Sequence, residues 1–471
     1  MAIDNTQAAG AIEWDELFLT LAGKDNIDLR PFVQNIKIYE NISQHCLFVE
    51  LGIADSVNII GKLDMDGNNT VTMKLRSPFL DDTGAYHKTF GVFSISERIV
   101  QDDRRQYFVL NLMSLEGMKD LSTRFSKRFT GSTDDISKQI YNDVIAEPRY
   151  RDTDGHFSGK TNLLVLGTPH KTNNFSFNAS SWTAFETMDF IAKNSEPKDL
   201  DSGKAIMPNG LFFETRTGFV MGSFMELVML QKGANQLYDE YSFVPSADIK
   251  FMTDNKRSTT GSYTYTSPFI SRKYNTATRV DMKDYFNELN NQTSGYYGST
   301  TIGIDMITRL NYAMVFDYTN NLSDQGYRGK INKSYDDFAH LADERPTNAN
   351  PLFAPAAVTQ VKVAVSSLYE DSDFGYNINY FERLTFRNTA IAEIKRLSVI
   401  IEVPGKTDIN VGHLIKFNYP NVGEKPGGTP ATELFDPKIS GIYAVSAIVH
   451  NITPTNHTMT LEIIRDSFGE E

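Results

Sequence analysis

Through the first part of the chain, apolar and polar positions alternate with the period of two that marks half-buried strands. Phe32–Tyr39 (FVQNIKIY) and Cys46–Leu51 (CLFVEL) are two such runs. A third places Val71, Met73 and Leu75 between Thr72, Lys74 and Arg76, just after the turn text Asp64-Met65-Asp66-Gly67-Asn68-Asn69. A hairpin is expected next, with Val92–Val100, a polar tip at Gln101–Arg105, and a return at Tyr107–Met113.

The period then lengthens. Ser132 to Asp135 reads as a helix cap with acids in the first turn, and Ile136, Ile140, Val144 and Ile145 share one helical face. A second helix is expected to start near Ser180 or Ser181, with Trp182, Phe185, Met188 and Ala192 spaced at three and four. After the break around Pro208, strand text returns at Leu211–Phe224 and Met225–Leu230. From Thr259 to Asp373 Tyr, Asn, Ser and Thr dominate, which reads either as a loosely packed irregular insertion or as a contact surface. Strands resume at Leu397–Val403 and Val411–Phe417, and the chain closes on a hairpin: Ile442–Val449, a tip at Asn451–Asn456, and His457–Ile464.

The two hairpins resemble each other. Gly91–Ile99 (GVFSISERI) and Gly441–Val449 (GIYAVSAIV) match at an offset of 350 (441 − 91). The preceding strands match too, Met73-Lys74-Leu75 with Ile415-Lys416-Phe417, at 342 (415 − 73). Phe108, Leu110 and Leu112 correspond to Met459, Leu461 and Ile463 at 351 (459 − 108). Three strands repeated in order predict two related β domains, the second interrupted by the Tyr/Asn-rich segment.

Composition narrows the function. At 471 residues the chain is long enough for about three domains, and 40% hydrophobic and 12% aromatic content supports folded cores. With 46 basic against 59 acidic residues, the net charge of −13 disfavours gripping a phosphate backbone, and Lys127-Arg128 and Arg104-Arg105 are isolated pairs. The single cysteine, Cys46, excludes an internal disulfide and reads as a small strand residue. The start, MAIDNTQAAGAIEWDE, has neither the basic nor the apolar region of a leader, and no apolar run reaches about 18 residues, so a soluble protein is expected.

No catalytic, cofactor-binding or metal-binding residue is predicted. Gly155–Thr161 (GHFSGKT) has three residues between its glycines, where a phosphate loop needs four. A calcium loop opening at Asp64 would need Gly at position 69 and a bidentate Glu at 75; Asn69 and Leu75 stand there. The eight histidines, including His450 and His457, lack zinc spacing. Asp81-Asp82 and Asp102-Asp103 lie in polar loop text, where adjacent acids are solvated.

The order of elements resembles the central baseplate hub proteins of contractile-tailed bacteriophages, relatives of the hub part of type VI secretion spike proteins. The resemblance is carried by Leu63–Asn68 (LDMDGN), Phe90–Ile95 (FGVFSI) and Leu115–Leu121 (LEGMKDL). Ile136–Asp143 (ISKQIYND), Ser181–Glu186 (SWTAFE) and Val411–Asn418 (VGHLIKFN) extend it along the chain. It implies a structural virion protein without catalytic residues or cofactors, forming a homotrimer. Paired β domains would give that trimer quasi-six-fold symmetry, with one face on the six-fold tail tube and the other on the three-fold spike. DNA would pass through the lumen without specific binding. Other baseplate proteins would be partners, no integral membrane association is implied, and the chain would reside in the virion tail after assembly in the host cytoplasm. Three copies carry about −39 (3 × −13), which would repel DNA from an acidic lumen wall.

The expected fold is thus α+β, mainly β, with two related antiparallel β-barrel-like hub domains in tandem. Residues 1–118 would form the first and 119–207 a helix-containing intermediate domain. Residues 208–258 and 386–471 would form the second, with 259–385 the insertion, packed with the intermediate domain. A tailocin or contractile secretion machine fits the same text. A tail-associated cell-wall hydrolase and a receptor-binding module are the rivals of other classes.

Overall fold

The computed structural model describes residues 9–21, 26–62, 68–78, 80–102, 104–146, 162–165, 174–194, 210–224, 227–228, 238–243, 275–284, 298–305, 311–317, 358–364, 369–370, 387, 391, 395, 397–421 and 435–465. The first seven strands are β1 (Glu13–Thr20), β2 (Ile27–Asp28), β3 (Val33–Asn41), β4 (Phe48–Asp55), β5 (Thr70–Arg76), β6 (Tyr86–Asp102) and β7 (Arg105–Ser114). They form an antiparallel array in the order β2-β1-β5-β6-β7-β4-β3. Alternation dictates the core: Leu17 and Leu19, Ile36 and Ile38, Val71, Met73 and Leu75, and Leu110 and Leu112 face one buried cluster. Strands at both edges feed that cluster, so the sheet curls its apolar face inward.

Next come α1 (Leu115–Ser122), β8 (Phe125–Gly131), α2 (Thr133–Ile140), β9 (Asn162–Val165), β10 (Asn174–Trp182), α3 (Ala184–Asn194), β11 (Gly210–Thr215) and β12 (Gly218–Ser223). Ser132 caps α2 as expected, accepting from the Asp135 backbone, and one π-helical turn at Tyr141–Ile145 carries the chain onward. The second helix starts later than its spacing predicts. Trp182 ends β10, and Thr183 opens α3 with a capping box: Glu186 N–H donates to Thr183 Oγ1 (3.2 Å) and Thr183 N–H to Glu186 Oε2 (2.8 Å). Of the expected strand Met225–Leu230, only Leu227 and Val228 are described, and they are helical; the rest of that run lies outside the described residues. The hairpin β11–β12 is a wedge. Phe212, Phe219 and Met221 face the helical cluster, while Phe213, Leu211 and Val220 face the core of the second sheet.

That second sheet is built from β13 (Asp239–Phe243), β14 (Thr276–Ala277), β15 (Arg279–Asp284) and four later strands. Between them lie β16 (Gly298–Asp305), β17 (Asn311–Asp317), β18 (Val358–Ala364) and β19 (Tyr369–Glu370). The later four are β20 (Leu397–Pro404), β21 (Leu414–Asn418), β22 (Gly441–Ile452) and β23 (His457–Arg465). Segment 259–385 is thus not irregular throughout: β17-β16-β18 is a three-stranded sheet, and β15 pairs with β20 of the second array.

Strand order repeats between the halves. The first reads β1-β5-β6-β7-β4-β3, and the second β13-β21-β22-β23-β20-β15, each listing its first, fourth, fifth, sixth, third and second member in chain order. One direction differs, since β13 runs parallel to β21 whereas β1 is antiparallel to β5. Among the described residues the first array stays open, and in the second β14 pairs with β13 and leads through Thr278 into β15 on β20; the two arrays are joined where β22 pairs with β3.

The register corrects the sequence match. Val92 faces Leu112 and Ile95 faces Leu110 across a bulge at Phe93; Val445 faces Ile463 and Ile448 faces Leu461 across a bulge at Ser446. Superposed on those bulges, the hairpins correspond at 353 (445 − 92), three residues from the 350 of the sequence match. An odd slip exchanges faces. The 350 match would set half-exposed Phe93 (49%) on buried Tyr443 (1%), whereas 353 sets Phe90 on Tyr443, both in core clusters. The preceding strands correspond at 344 (414 − 70) instead of 342, an even slip that keeps the face; the returning strands stand at 351.

Candidate functional site

Two places combine unusual chemistry with position: the seam between the sheets and the outer end of the first hairpin. At the seam β3 and β22 run antiparallel from Ile36 opposite Ile452 to Asn41 opposite Ala447. Around it lie Glu40, Tyr86, Lys88, Glu214, His450 and His457, all buried, with the Arg216 guanidinium among them. Lys88 Nζ pairs with Glu214 Oε1, and Glu214 Oε2 accepts the Leu47 N–H at 2.9 Å. Arg216 Nη1 donates to the carbonyls of Ala85 (2.8 Å) and Thr83 (3.1 Å). A reciprocal clip binds the halves again: Ser77 N–H donates to Thr407 Oγ1 and Thr407 N–H to Ser77 Oγ, each at 3.2 Å.

Burial sets the charges of this seam. It pushes the Glu40 carboxyl up to about 8, and Arg216, the Val411 backbone and Lys88 draw it only partly back. Burial, helped by Arg216, drops His450 to about 3; burial and His450 hold His457 well below the ordinary range. The two rings share one hydrogen bond, His450 Nδ1 to His457 Nε2 at 3.0 Å. For Lys88 burial opposes the charge, but Glu214 and Glu116 together outweigh it and hold the ammonium above its ordinary value. Burial thus favours the uncharged form of Glu40 and of both imidazoles, and all three side chains are shut away from solvent. A general acid or base must reach the proton it moves. This chemistry welds strands together.

The singled-out residues fall elsewhere. Cys46 is half-buried, its thiol pushed up to about 12 by burial and by the Glu214 and Asp120 carboxylates, which leaves it unreactive at neutral pH. Asp81 caps a 3₁₀ turn, accepting from the backbone of Thr83 (3.1 Å) and Gly84 (3.3 Å). Asp82 lies 3.4 Å from Lys74, and Asp102 accepts the Arg104 N–H at 2.8 Å. Lys127 sits over the Phe129 ring, and Arg128 donates to Ser176. Asp64–Gly67 and Gly155–Thr161 lie outside the described residues. Among those described, no group of three or more His, Cys, Asp or Glu could hold a metal ion, and no helix is long and apolar enough to cross a membrane.

Sequence reading missed Glu40, Lys88 and Glu214, though a signal was there. Each occupies a position whose parity belongs to the core: Ile36, Ile38, Glu40; Tyr86, Lys88, Phe90; Phe212, Glu214. A charge at an apolar position of a strand demands a buried partner.

The first hairpin presents the opposite chemistry. β5 covers the outer edge of β6 only as far as Gly91. Beyond it Ile99 (58% exposed) and Val100 (68%) stand in solvent, and no strand pairs with that edge among the described residues. In the second hairpin the matching stretch of β22 is the one that pairs with β3.

No family model and no curated protein matches the chain. Among solved structures it is similar to the tail protein from Neisseria meningitidis MC58, at 9% identity and a TM-score of 0.49, covering 96% of each chain. It is also similar to the 43 kDa tail protein of prophage MuSo2 from Shewanella oneidensis, at 8% identity and a TM-score of 0.48, over 96% of this chain and 98% of that one. The prophage tail protein gp18 from Listeria monocytogenes EGD-e follows at 9% identity and a TM-score of 0.42, over 95% and 94%. These three solved structures are described as tail proteins, and each shares 8–9% identity with this chain.

Proposed function

We propose that this chain is a structural protein of a phage tail baseplate, three copies of which form a pseudo-six-fold central hub. The hub joins the six-fold tail tube to the three-fold spike and passes DNA through its lumen. One observation carries the reading: a single chain holds two sheets of the same strand order, so a three-fold assembly presents six similar modules. The sequence resemblance across LDMDGN, FGVFSI, SWTAFE and VGHLIKFN supports it independently.

In this reading the sheets are related, barrel-like hub domains, with residues 1–118 the first and 208–258 plus 386–471 the second. Residues 119–207 are the intermediate domain and 259–385 the insertion. The role is architectural and non-enzymatic, sited in the virion tail among tube, spike and other baseplate proteins. The net charge of −13 per chain supports a lumen that repels DNA.

Sedimentation of the purified chain with electron-microscope class averages tests the proposal. The expected result is a mass of three chains and a ring with six lobes around an open centre. A monomer at every concentration, or a particle without a central opening, overturns it.

A further inference from the structure

We infer that the seam encloses an ordered water molecule, held jointly by Glu40, Tyr86, Arg216 and His450, which hydrogen-bonds the two sheets and the wedge hairpin to one another. The inference stands apart from the hub reading, since it concerns the interior of a single chain.

The four side chains come from four places in the fold. Glu40 lies on β3 and Tyr86 on β6 of the first sheet, His450 lies on β22 of the second, and Arg216 occupies the turn between β11 and β12. Glu40, Tyr86 and His450 are each 1% exposed. Both Glu40 carboxyl oxygens, Tyr86 OH, Arg216 Nε and His450 Nε2 are nonetheless buried without a hydrogen-bond partner among the described residues. These atoms converge. His450 Nε2 stands 3.9 Å from Glu40 Oε1, and the Tyr86 ring meets the His450 ring edge-on at 5.9 Å between centroids. The Arg216 guanidinium acts electrostatically on Glu40, Tyr86 and His450. Tyr86 OH and the Val411 N–H both face the Glu40 carboxyl, but neither reaches hydrogen-bond geometry. The 3.9 Å between His450 and Glu40 is too long for a direct bond, and one water spans it with two bonds of about 2.8 Å. Orphaned polar atoms are rare in folded interiors, and a group of them around one point marks a shared ligand.

The chemistry of the set selects water. Arg216 Nε can only donate, a tyrosine hydroxyl both donates and accepts, and the protonated carboxyl that burial favours at Glu40 does the same. A ligand that gives and takes hydrogen bonds satisfies them all. A metal cation would meet the guanidinium, and an anion would face the acceptor oxygen of Glu40 lone pair to lone pair. The neighbouring groups have their own partners: Lys88 is paired with Glu214, and His450 Nδ1 shares a hydrogen bond with His457 Nε2. One water here ties β3, β6, β22 and the wedge turn together where no direct side-chain bond does.

The test is X-ray radiolytic labelling of the full chain, in which hydroxyl radicals born from bound water oxidise the side chains beside it even where bulk solvent does not reach. Tyr443 is the control, also 1% exposed but with its hydroxyl donating to the Ile439 carbonyl. Tyr86 is expected to gain oxygen several-fold faster than Tyr443, and after rapid mixing with heavy-oxygen water it should take up the label more slowly than exposed tyrosines. Labelling of Tyr86 no faster than that of Tyr443 overturns the inference. Tyr86→Phe gives a second reading: removing a hydroxyl that water holds should lower the urea midpoint, whereas removing an orphaned one raises it. A raised midpoint therefore overturns the inference too. A melting temperature of the parent that climbs with chloride but not with sulfate assigns the place to an anion and overturns it as well.

Discussion

Ile452, the last residue of β22, lies opposite Ile36 of β3 and is buried in the core of the sheet to which β3 belongs. The second sheet therefore completes the first, and the two are expected to unfold together. Ile452→Ala removes a buried side chain from that joint, a change that costs about 2–5 kcal/mol. Urea unfolding followed by circular dichroism should show one earlier transition; an unchanged midpoint would mean that the joint contributes nothing.

Glu40 makes stability depend on pH in an unusual direction. Its folded value of about 8 lies above the ordinary 4.5, so the native state favours the protonated carboxyl. The stability this contributes is full below about 4.5 and is lost as pH rises through 8. His450 acts oppositely: lowered from 6.5 to about 3, it contributes above 6.5 and loses that contribution as pH falls toward 3. Glu40→Gln stays neutral throughout. The melting temperature of this variant minus that of the parent should therefore climb between pH 4.5 and 8; a flat difference would place the carboxylate in solvent.

Lys88 and Glu214 meet in the interior, where a lone charge is costly. Lys88→Met strands the Glu214 carboxylate and should destabilise the protein by about 3–5 kcal/mol. Adding Glu214→Gln removes the charge while an amide oxygen can still accept from Leu47, so the double variant should recover most of the loss. A double-mutant cycle in denaturant measures the coupling, and additive losses would contradict a direct pair.

Phe93 separates the bulged register from simple alternation. Unbroken period two puts it on one face with Ile95, so that an aspartate at either site should prevent folding or assembly. The bulge turns Phe93 outward, edge-on to Phe48 at 6.4 Å between ring centroids, while Ile95 packs on the core. Phe93→Asp is expected to stay within about 0.5 kcal/mol of the parent. Ile95→Asp should lower the melting temperature sharply, and equal losses would refute the bulge.

Much of the architecture was legible because it is local. Alternation at Val71, Met73 and Leu75 names a strand and its buried face, and both are found. The face of Ile136, Ile140 and Ile145 needs only helical spacing, and those residues meet in one cluster. Thr183 and Glu186 spell a capping box in the text, yet the apolar Trp182 beside them drew the expected helix one turn too early.

What the sequence determined by itself, then, is which residues face inward and that one hairpin text occurs twice. Only the tertiary structure decided which strand lies beside which, where one extra residue shifts a register by an odd number, and that Lys88 finds its partner on a hairpin 126 residues away. The reason is physical. A period of two encodes a face but no neighbour, whereas a bulge, a buried ion pair or a bare strand edge exists only once distant segments have met.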